Sequence, residues 1–148
     1  DHVAFAALVL LAGTLFALLE IQIEGAEGGW AWNLPTWRKD SRVARLLLGG
    51  RTLTGYHLYV HLFVLLMAHS AYGLGLPFSW AAEARIVAFL ILFWVVEDFL
   101  WFVLNPAFGL RRFRPEHIPW HRRSWWGIMP REYWIGIPVG LAFYVLGA

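Results

Sequence analysis

The sequence predicts an all-α integral membrane protein in which four transmembrane helices form a bundle. Of its 148 residues, 59% are hydrophobic and only 15% are charged, whereas a soluble domain carries roughly 25% charged residues. Four long apolar segments follow one another along the chain. The basic residues are concentrated in two of the connections between these segments, as they are on the cytoplasmic side of membrane proteins.

The predicted spans are residues 3–23, 53–74, 86–104 and 133–148, all within one domain covering 1–148. Because a helix rises about 1.5 Å per residue, about 20 apolar residues cross a hydrocarbon core of ~30 Å. The first three segments reach that length. The fourth is shorter, so it requires either a thinned bilayer or further apolar chain. Segments of about ten residues with alternating hydrophobicity, which indicate transmembrane strands, are not evident.

The distribution of basic residues predicts the orientation. Counting Lys and Arg together, the first long loop contains five, the second contains six, and the short loop between the second and third helices contains one. Both long loops are therefore expected in the cytoplasm and both termini outside. The expected location is the inner or plasma membrane of a bacterium. A net charge of +2 does not favour nucleic-acid binding.

Both long loops are rich in Trp and Arg. In the first, Ser41–Leu48 is predicted to form a short interfacial helix capped by Asp40 or Ser41. In the second, Trp side chains lie among several Arg residues. Such a loop is either an interfacial anchor or a site that holds a lipid headgroup. The residues predicted to hold an anionic substrate headgroup are Trp120, Arg122 and Arg123.

Ionisable residues within the spans are the strongest functional signal. Each costs at least ~2.5 kcal/mol at the centre of a bilayer, so such residues usually mark function. In chain order they are Glu20, Glu24, His57, His61, His69, Glu97 and Asp98. All except His69 fall at one depth near the cytoplasmic ends of three helices. His69 lies near the opposite end and is interpreted as a structural residue.

The spacing of these residues suits metal ligands. Glu20 and Glu24 are four residues apart, as are His57 and His61, so each pair shares a helix face. Asp98 follows Glu97 directly and points about 100° away from it, so only one of the two is expected to face a shared centre. The predicted metal ligands are His57, His61, Glu97, Glu20, Glu24, His117 and His121. Glu97 and Asp98 are the predicted catalytic residues.

The chain contains no Cys, so a mixed set of His and carboxylate ligands favours iron, mononuclear or dinuclear, over zinc. Two or more carboxylates with several His are typical of dinuclear iron sites in helix bundles, although the Glu-x-x-His pairs of the soluble members are absent here. The second long loop is expected to dip back toward the membrane, which would bring His117 or His121 to the site.

Two resemblances are local. The string Val96–Phe102 resembles the acidic-aromatic motif of small membrane lycopene cyclases, in which paired acids precede a Phe-rich helix, and it covers under a tenth of the chain. The His-rich layout facing the cytoplasm is similar to that of membrane fatty-acid desaturases and hydroxylases. Their multi-His boxes are not present in full, because this chain has six His in all.

Three classes of function remain open at this point. The first is an oxidative membrane metalloenzyme, of hydroxylase or desaturase type, acting on a lipid or another hydrophobic substrate. The second is a metal-free acid–base isomerase or cyclase of isoprenoid-type lipids that uses Glu97 or Asp98. The third is a non-catalytic subunit of a larger membrane complex. Membrane lipids and a hydrophobic substrate are the expected partners, together with either further copies of this chain or other subunits.

Overall fold

The computed structural model describes residues 2–25 and 29–148 and confirms that the chain is mainly helical. Residues 1 and 26–28, which belong to the predicted domain and in part to its first long loop, lie outside the described residues. The long helices are α1 (His2–Glu24), α3 (Gly55–Gly73), α4 (Trp80–Leu104) and α5 (Arg131–Leu146). A short helix, α2 (Arg42–Leu47), lies in the first long connection, where Ser41 caps it by accepting a hydrogen bond from the Ala44 N–H.

Two of these helices, α1 and α4, are long and apolar enough to cross a membrane. Large apolar side chains of α1 and α3 are exposed at the surface of the chain; Leu15 is 68% exposed and Leu66 is 66% exposed. An exposed apolar surface of this kind is typical of helices that face lipid or another protein.

Helix α4 begins six residues earlier than the sequence analysis predicted. Ser79 caps it by accepting a hydrogen bond from the Ala82 N–H, so Glu83 and Arg85 belong to the helix and not to a loop. The prediction was wrong because it began the span at the first residue after these charges. At its other end α4 stops at Leu104, since Asn105 is followed by Pro106, whose ring does not fit a continuing helix.

Small residues allow the helices to approach closely. A Cβ at Gly13 would lie 2.9 Å from Val96 Cγ1, so α1 and α4 are in contact at this glycine. Gly136 and Gly140 have the same role between α5 and α4, since a Cβ at Gly140 would lie 2.7 Å from Leu92 Cγ. Glycine at such crossings is common in membrane helix bundles. By contrast, α3 packs much more loosely on α4.

Two short antiparallel ribbons tie the connections to the helix ends. Strands β1 (Arg38–Lys39) and β2 (Leu53–Thr54) pair just before α3 begins. Strands β3 (Trp125–Trp126) and β4 (Met129–Pro130) pair just before α5. These two-residue pairs are loop features and do not change the helical class.

The buried core lies at the end of the bundle where α1 and α4 terminate. Ala17 and Ile21 of α1 meet Trp101 and Phe102 of α4, and the second long connection completes this cluster with Ile118. Ile118 is fully buried, so this connection folds back over the helix ends. The core therefore closes one end of the bundle, and it adjoins the polar residues described next.

Candidate functional site

A polar chamber of about 190 Å³ lies where α1 and α4 end and where α3 and α5 begin. Its polar lining comes from all four long helices and from both long connections. The ionisable or hydroxyl-bearing residues that line it are Glu20, Glu24, Arg51, His57, His61, Glu97, Asp98, His121, Glu132 and Tyr133. Most of the residues that sequence analysis assigned to a metal site therefore surround one cavity.

Three carboxyl groups are buried on one side of the chamber. Glu20, Glu24 and Glu97 are each less than 10% exposed. The Glu20 carboxyl accepts a hydrogen bond of 2.9 Å from the Tyr56 hydroxyl and lies within hydrogen-bonding reach of the Glu97 carboxyl. Glu24 accepts from the Ala31 N–H. The second oxygen of Glu97, Oε1, has no hydrogen-bond partner among the described residues.

Asp98 has a different environment from its neighbour Glu97. The Tyr133 hydroxyl donates to Asp98 Oδ2 over 2.5 Å, and His121 Nε2 lies 3.2 Å from the same oxygen. Both Glu97 and Asp98 line the chamber, and the expectation that only one of them faces a shared centre stays a prediction. The angle of about 100° between them is compatible with one cavity because the chamber extends across the end of α4.

Arg51 is the only Lys or Arg that lines the chamber in the described part of the chain. Its guanidinium lies 4.2 Å from the centre of the Trp30 ring, and its Nε donates to the Leu48 carbonyl over 2.7 Å. Burial lowers the pKa of Arg51, and the nearby Asp98 and Glu132 carboxylates oppose that effect. A guanidinium nevertheless stays charged in proteins. Arg51 therefore supplies one permanent positive charge to the chamber.

The two histidines of α3 present one ring nitrogen each to local partners. His61 Nδ1 lies 2.7 Å from the carbonyl of His57, which can only accept, so Nδ1 carries the hydrogen. His57 Nδ1 lies 2.7 Å from the Thr54 hydroxyl. Neither Nε2 has a hydrogen-bond partner among the described residues. In metal-binding histidines the second nitrogen is usually held in this way by a carbonyl or a hydroxyl.

Aromatic rings hold both imidazoles in place. The His57 ring stacks on Trp30 with 3.9 Å between ring centres, and the His61 ring stacks on Trp94 at 4.1 Å. Trp30 has a φ of 60°, a left-handed conformation that is uncommon for a bulky residue. Its indole N–H donates to the Thr52 carbonyl over 2.8 Å. Strained backbone that persists in this way is frequent at functional sites.

Several buried polar atoms of the chamber lack hydrogen bonds within the described residues: Glu97 Oε1, His121 Nδ1 and Trp101 Nε1. Leaving such an atom unpaired costs roughly 1–3 kcal/mol. His121 is 2% exposed. Its Nε2 lies near both Asp98 and the Arg51 guanidinium, and its Nδ1 has no hydrogen-bond partner among the described residues. Atoms of this kind mark a place where a ligand, an ion or water binds.

The His, Asp and Glu side chains surround the chamber without meeting at one point. No group of three or more of them, within residues 2–25 and 29–148, is positioned to hold a metal ion. The chemistry of the set nevertheless fits such an ion, because imidazole nitrogens and carboxylate oxygens suit iron, zinc and manganese. The unpartnered Glu97 Oε1 and His121 Nδ1 belong to this set of potential ligands.

Three of the predicted site residues do not line the chamber: His117, Arg122 and Arg123. The structural residue His69 does not line it either. His117 is exposed on the second connection and does not line the chamber. Arg122 is also exposed, whereas Arg123 and Trp120 line a cleft that adjoins the chamber. Trp120 in addition lines the chamber itself. His69 lies at the far end of α3, where its Nε2 is 3.1 Å from Glu83 Oε1.

The site residues predicted from the sequence did not include Arg51, Tyr56, Tyr133 or Trp30. Tyr56 precedes His57, and Tyr133 occupies the first turn of α5, so helix depth could have indicated both. Arg51 and Trp30 lie in a connection without regular spacing, and the sequence carries no signal for either contact.

No family model matches this chain, and no curated protein or solved structure matches it.

Proposed function

We propose that this chain is a membrane metalloenzyme that acts on a lipid or another hydrophobic substrate in the polar chamber. The observation that carries the proposal is the charge of the chamber. Within the described residues, the three buried carboxyl groups, the partly buried Asp98 and Glu132 share it with one guanidinium. Because a buried charge requires a partner, this surplus of carboxyl groups needs protons or a bound cation.

The hydrogen bonds of His57 and His61 favour a bound cation over protons. His57 and His61 have their Nδ1 atoms held locally, which leaves their Nε2 atoms as ligands. The proposed ligands are His57, His61, Glu20 and Glu97, with His121 as a further ligand. Their side chains must turn inward to meet at one ion. Iron is favoured over zinc, and a bound iron ion would supply oxygen activation for a hydroxylation or a desaturation.

The chain's own residues have separate roles in this proposal. Tyr133 donates a hydrogen bond to Asp98, and His121 and Arg51 lie beside it, so Asp98 is positioned to accept a proton from the substrate. Tyr56 orients Glu20 through the hydrogen bond to its carboxyl. Trp30 and Trp94 restrict the two imidazole rings by stacking and exclude water on those sides.

Metal analysis of the purified protein tests this proposal. The protein is isolated in a non-ionic detergent, incubated anaerobically with iron(II) or with zinc(II), desalted, and analysed by mass spectrometry for metal per chain. We expect about two iron ions per chain for a dinuclear site and about one for a mononuclear site.

Two histidine variants provide the control for the metal measurement. His57→Ala should lower bound iron more than tenfold, because second-sphere changes alone lower metal affinity roughly 10–100-fold. His69→Ala removes an imidazole from the same helix but from its far end, so its iron content should equal that of the wild type. Equal iron in both variants, or no iron in any of them, would contradict the proposal.

A second candidate rests on the contact between Glu20 and Glu97. Two carboxyl groups that are buried side by side can share a proton. Such a group can protonate an alkene of an isoprenoid lipid without a metal. With a chelator present, this candidate predicts deuterium transfer from solvent to an isoprenoid alkene. It also predicts that Glu97→Gln abolishes the transfer while Glu83→Gln does not.

We further propose that all four long helices cross a bacterial inner or plasma membrane, with the chamber on the cytoplasmic side and both termini outside. Because the chain has no Cys, single cysteines report the topology directly. An impermeant maleimide should label Leu76→Cys in intact cells and Arg111→Cys only in inverted vesicles. The reverse pattern would refute this orientation.

A further inference from the structure

A basic cleft adjoins the chamber on its solvent side. It encloses about 830 Å³, and the charged side chains that line it within residues 2–25 and 29–148 are Arg38, Arg45, Arg51 and Arg123. Arg45 is paired with Asp40, whereas the other three face no carboxylate closer than 4.0 Å. Trp30 and Trp120 form part of its wall. Within the described residues Arg123 has no hydrogen-bond or ion-pair partner, so its guanidinium is available. Arginine recognises phosphate and carboxylate groups through paired N–H donors.

The cleft and the chamber share a wall. Gly29, Trp30, Arg51 and Trp120 line both. The Trp30 ring stacks on His57 of the chamber and lies under the Arg51 guanidinium of the cleft. A molecule held by its anionic end in the cleft therefore extends past Trp30 toward the carboxyl groups and histidines of the chamber.

An apolar groove lies on the other side of the chamber, between α1, α3 and α4. It encloses about 610 Å³ and is lined by residues that include Leu8, Ala12, Phe16, Phe63, Met67 and Phe93. A single aromatic layer separates it from the chamber. Phe16 contacts both Phe93 and Trp94, with ring centres 5.5 and 5.7 Å apart, and Trp94 stacks on His61. Along α3 the groove reaches Met67, about 15 Å from His57.

We infer that the ligand of this site is an amphiphile with an anionic phosphate or carboxylate headgroup in the arginine cleft and a hydrocarbon chain in the apolar groove. The inference extends the proposed function, because it names the substrate class for the same chamber. The three cavities follow one another in the order that such a molecule requires. The cleft would hold the anion, the chamber would hold the segment that reacts, and the groove would hold the hydrocarbon chain. The occupant of the groove is the ligand's own chain, which enters it when the Phe16 and Trp94 rings that separate the groove from the chamber turn aside.

Binding of hexadecyl phosphate tests the inference without any metal. The protein is kept in a non-ionic detergent with a chelator, and quenching of tryptophan fluorescence is recorded during the titration. Hexadecanol, which has the same chain without the anion, should bind at least about tenfold more weakly, as expected for the loss of hydrogen bonds to a charged group. Inorganic phosphate, which has the anion without the chain, should also bind at least about tenfold more weakly.

Two pairs of variants localise the binding. Arg123→Gln should weaken binding of hexadecyl phosphate about tenfold, whereas Arg122→Gln, its exposed neighbour outside the cleft, should leave it unchanged. Ala12→Phe fills the groove and should weaken binding of hexadecyl phosphate but not of inorganic phosphate. Leu11→Phe, which changes a residue 65% exposed on the same helix, should have no effect.

Equal effects of Arg122→Gln and Arg123→Gln would overturn the headgroup assignment. Inorganic phosphate binding as tightly as hexadecyl phosphate would overturn the chain assignment and leave a simple anion site. Because the titration contains a chelator, its failure is distinguishable from failure of the metal proposal. A protein that binds hexadecyl phosphate and no iron would refute the metalloenzyme and retain the ligand class.

Discussion

The two ends of the helix bundle both contain ionisable residues. Among the described residues, those at the chamber end include buried polar atoms that have no hydrogen-bond partner, whereas those at the far end are paired. At the far end, His69 and Tyr72 share one carboxylate, Glu83, at 3.1 Å each. Arg85 donates to the Gly147 carbonyl over 2.7 Å. At the chamber end, several carboxyl groups surround one guanidinium, and buried atoms such as Glu97 Oε1 lack partners.

This difference distinguishes polar residues that stabilise the fold from polar residues that serve a function. A polar group that pairs with a neighbour recovers part of the free energy that it loses on desolvation, and the pair holds the ends of two helices together. A group without a partner destabilises the fold and persists only where it serves another purpose. The far end therefore provides matched controls for the His, Glu, Tyr and Arg residues of the chamber.

The largest expected effect distinguishes the largely buried Arg51 from the exposed Arg85. Arg51→Met removes the guanidinium that lies 4.0 Å from Glu132 and next to Asp98 and His121, so we expect a loss of about 3–5 kcal/mol, as for a broken buried ion pair. Arg85→Met removes one hydrogen bond to a carbonyl and should cost about 1 kcal/mol. Thermal unfolding in detergent measures both. Equal losses would show that Arg51 is no more strongly coupled to its surroundings than Arg85.

A smaller effect is expected for two tyrosines that donate to carboxylates. Tyr133→Phe removes the 2.5 Å hydrogen bond to Asp98 and should destabilise the protein by about 1.5–3 kcal/mol, the range for hydrogen bonds to charged groups. Tyr72→Phe removes the more exposed bond to Glu83, for which we expect less than about 1 kcal/mol. Chemical unfolding of the two variants side by side tests this. A larger loss for Tyr72→Phe would invert the comparison.

The smallest effect is expected for the ion pair of the far end. His69 and Glu83 are each about a quarter to a third exposed, and such pairs contribute about 0–1 kcal/mol. His69→Ala and Glu83→Gln should therefore lower the melting temperature only slightly. A melting temperature lowered as much as that of Arg51→Met would show that the far end is not merely structural.

The helices were predicted from the sequence more completely than the chamber was. Hydropathy predicted the helical class, and helix depth grouped Glu20, His57 and Glu97, because both depend on spacing along a regular helix. The position of Arg51 was not predictable, since it depends on how an irregular connection folds beneath Trp30. The same reason explains His117 and His121: their spacing is identical to a ligand pair, but the loop buries only His121.

The central claim is that surplus negative charge in the chamber is balanced by a bound cation. The melting temperature of the double variant Glu20→Gln/Glu97→Gln, with and without iron(II), tests it most directly. In the wild type, iron(II) should raise the melting temperature, because a ligand that binds only the folded state stabilises it. The double variant should melt at a higher temperature than the metal-free wild type and should not respond to iron(II). A double variant that melts lower than the metal-free wild type, or that responds to iron(II) as the wild type does, would contradict the claim.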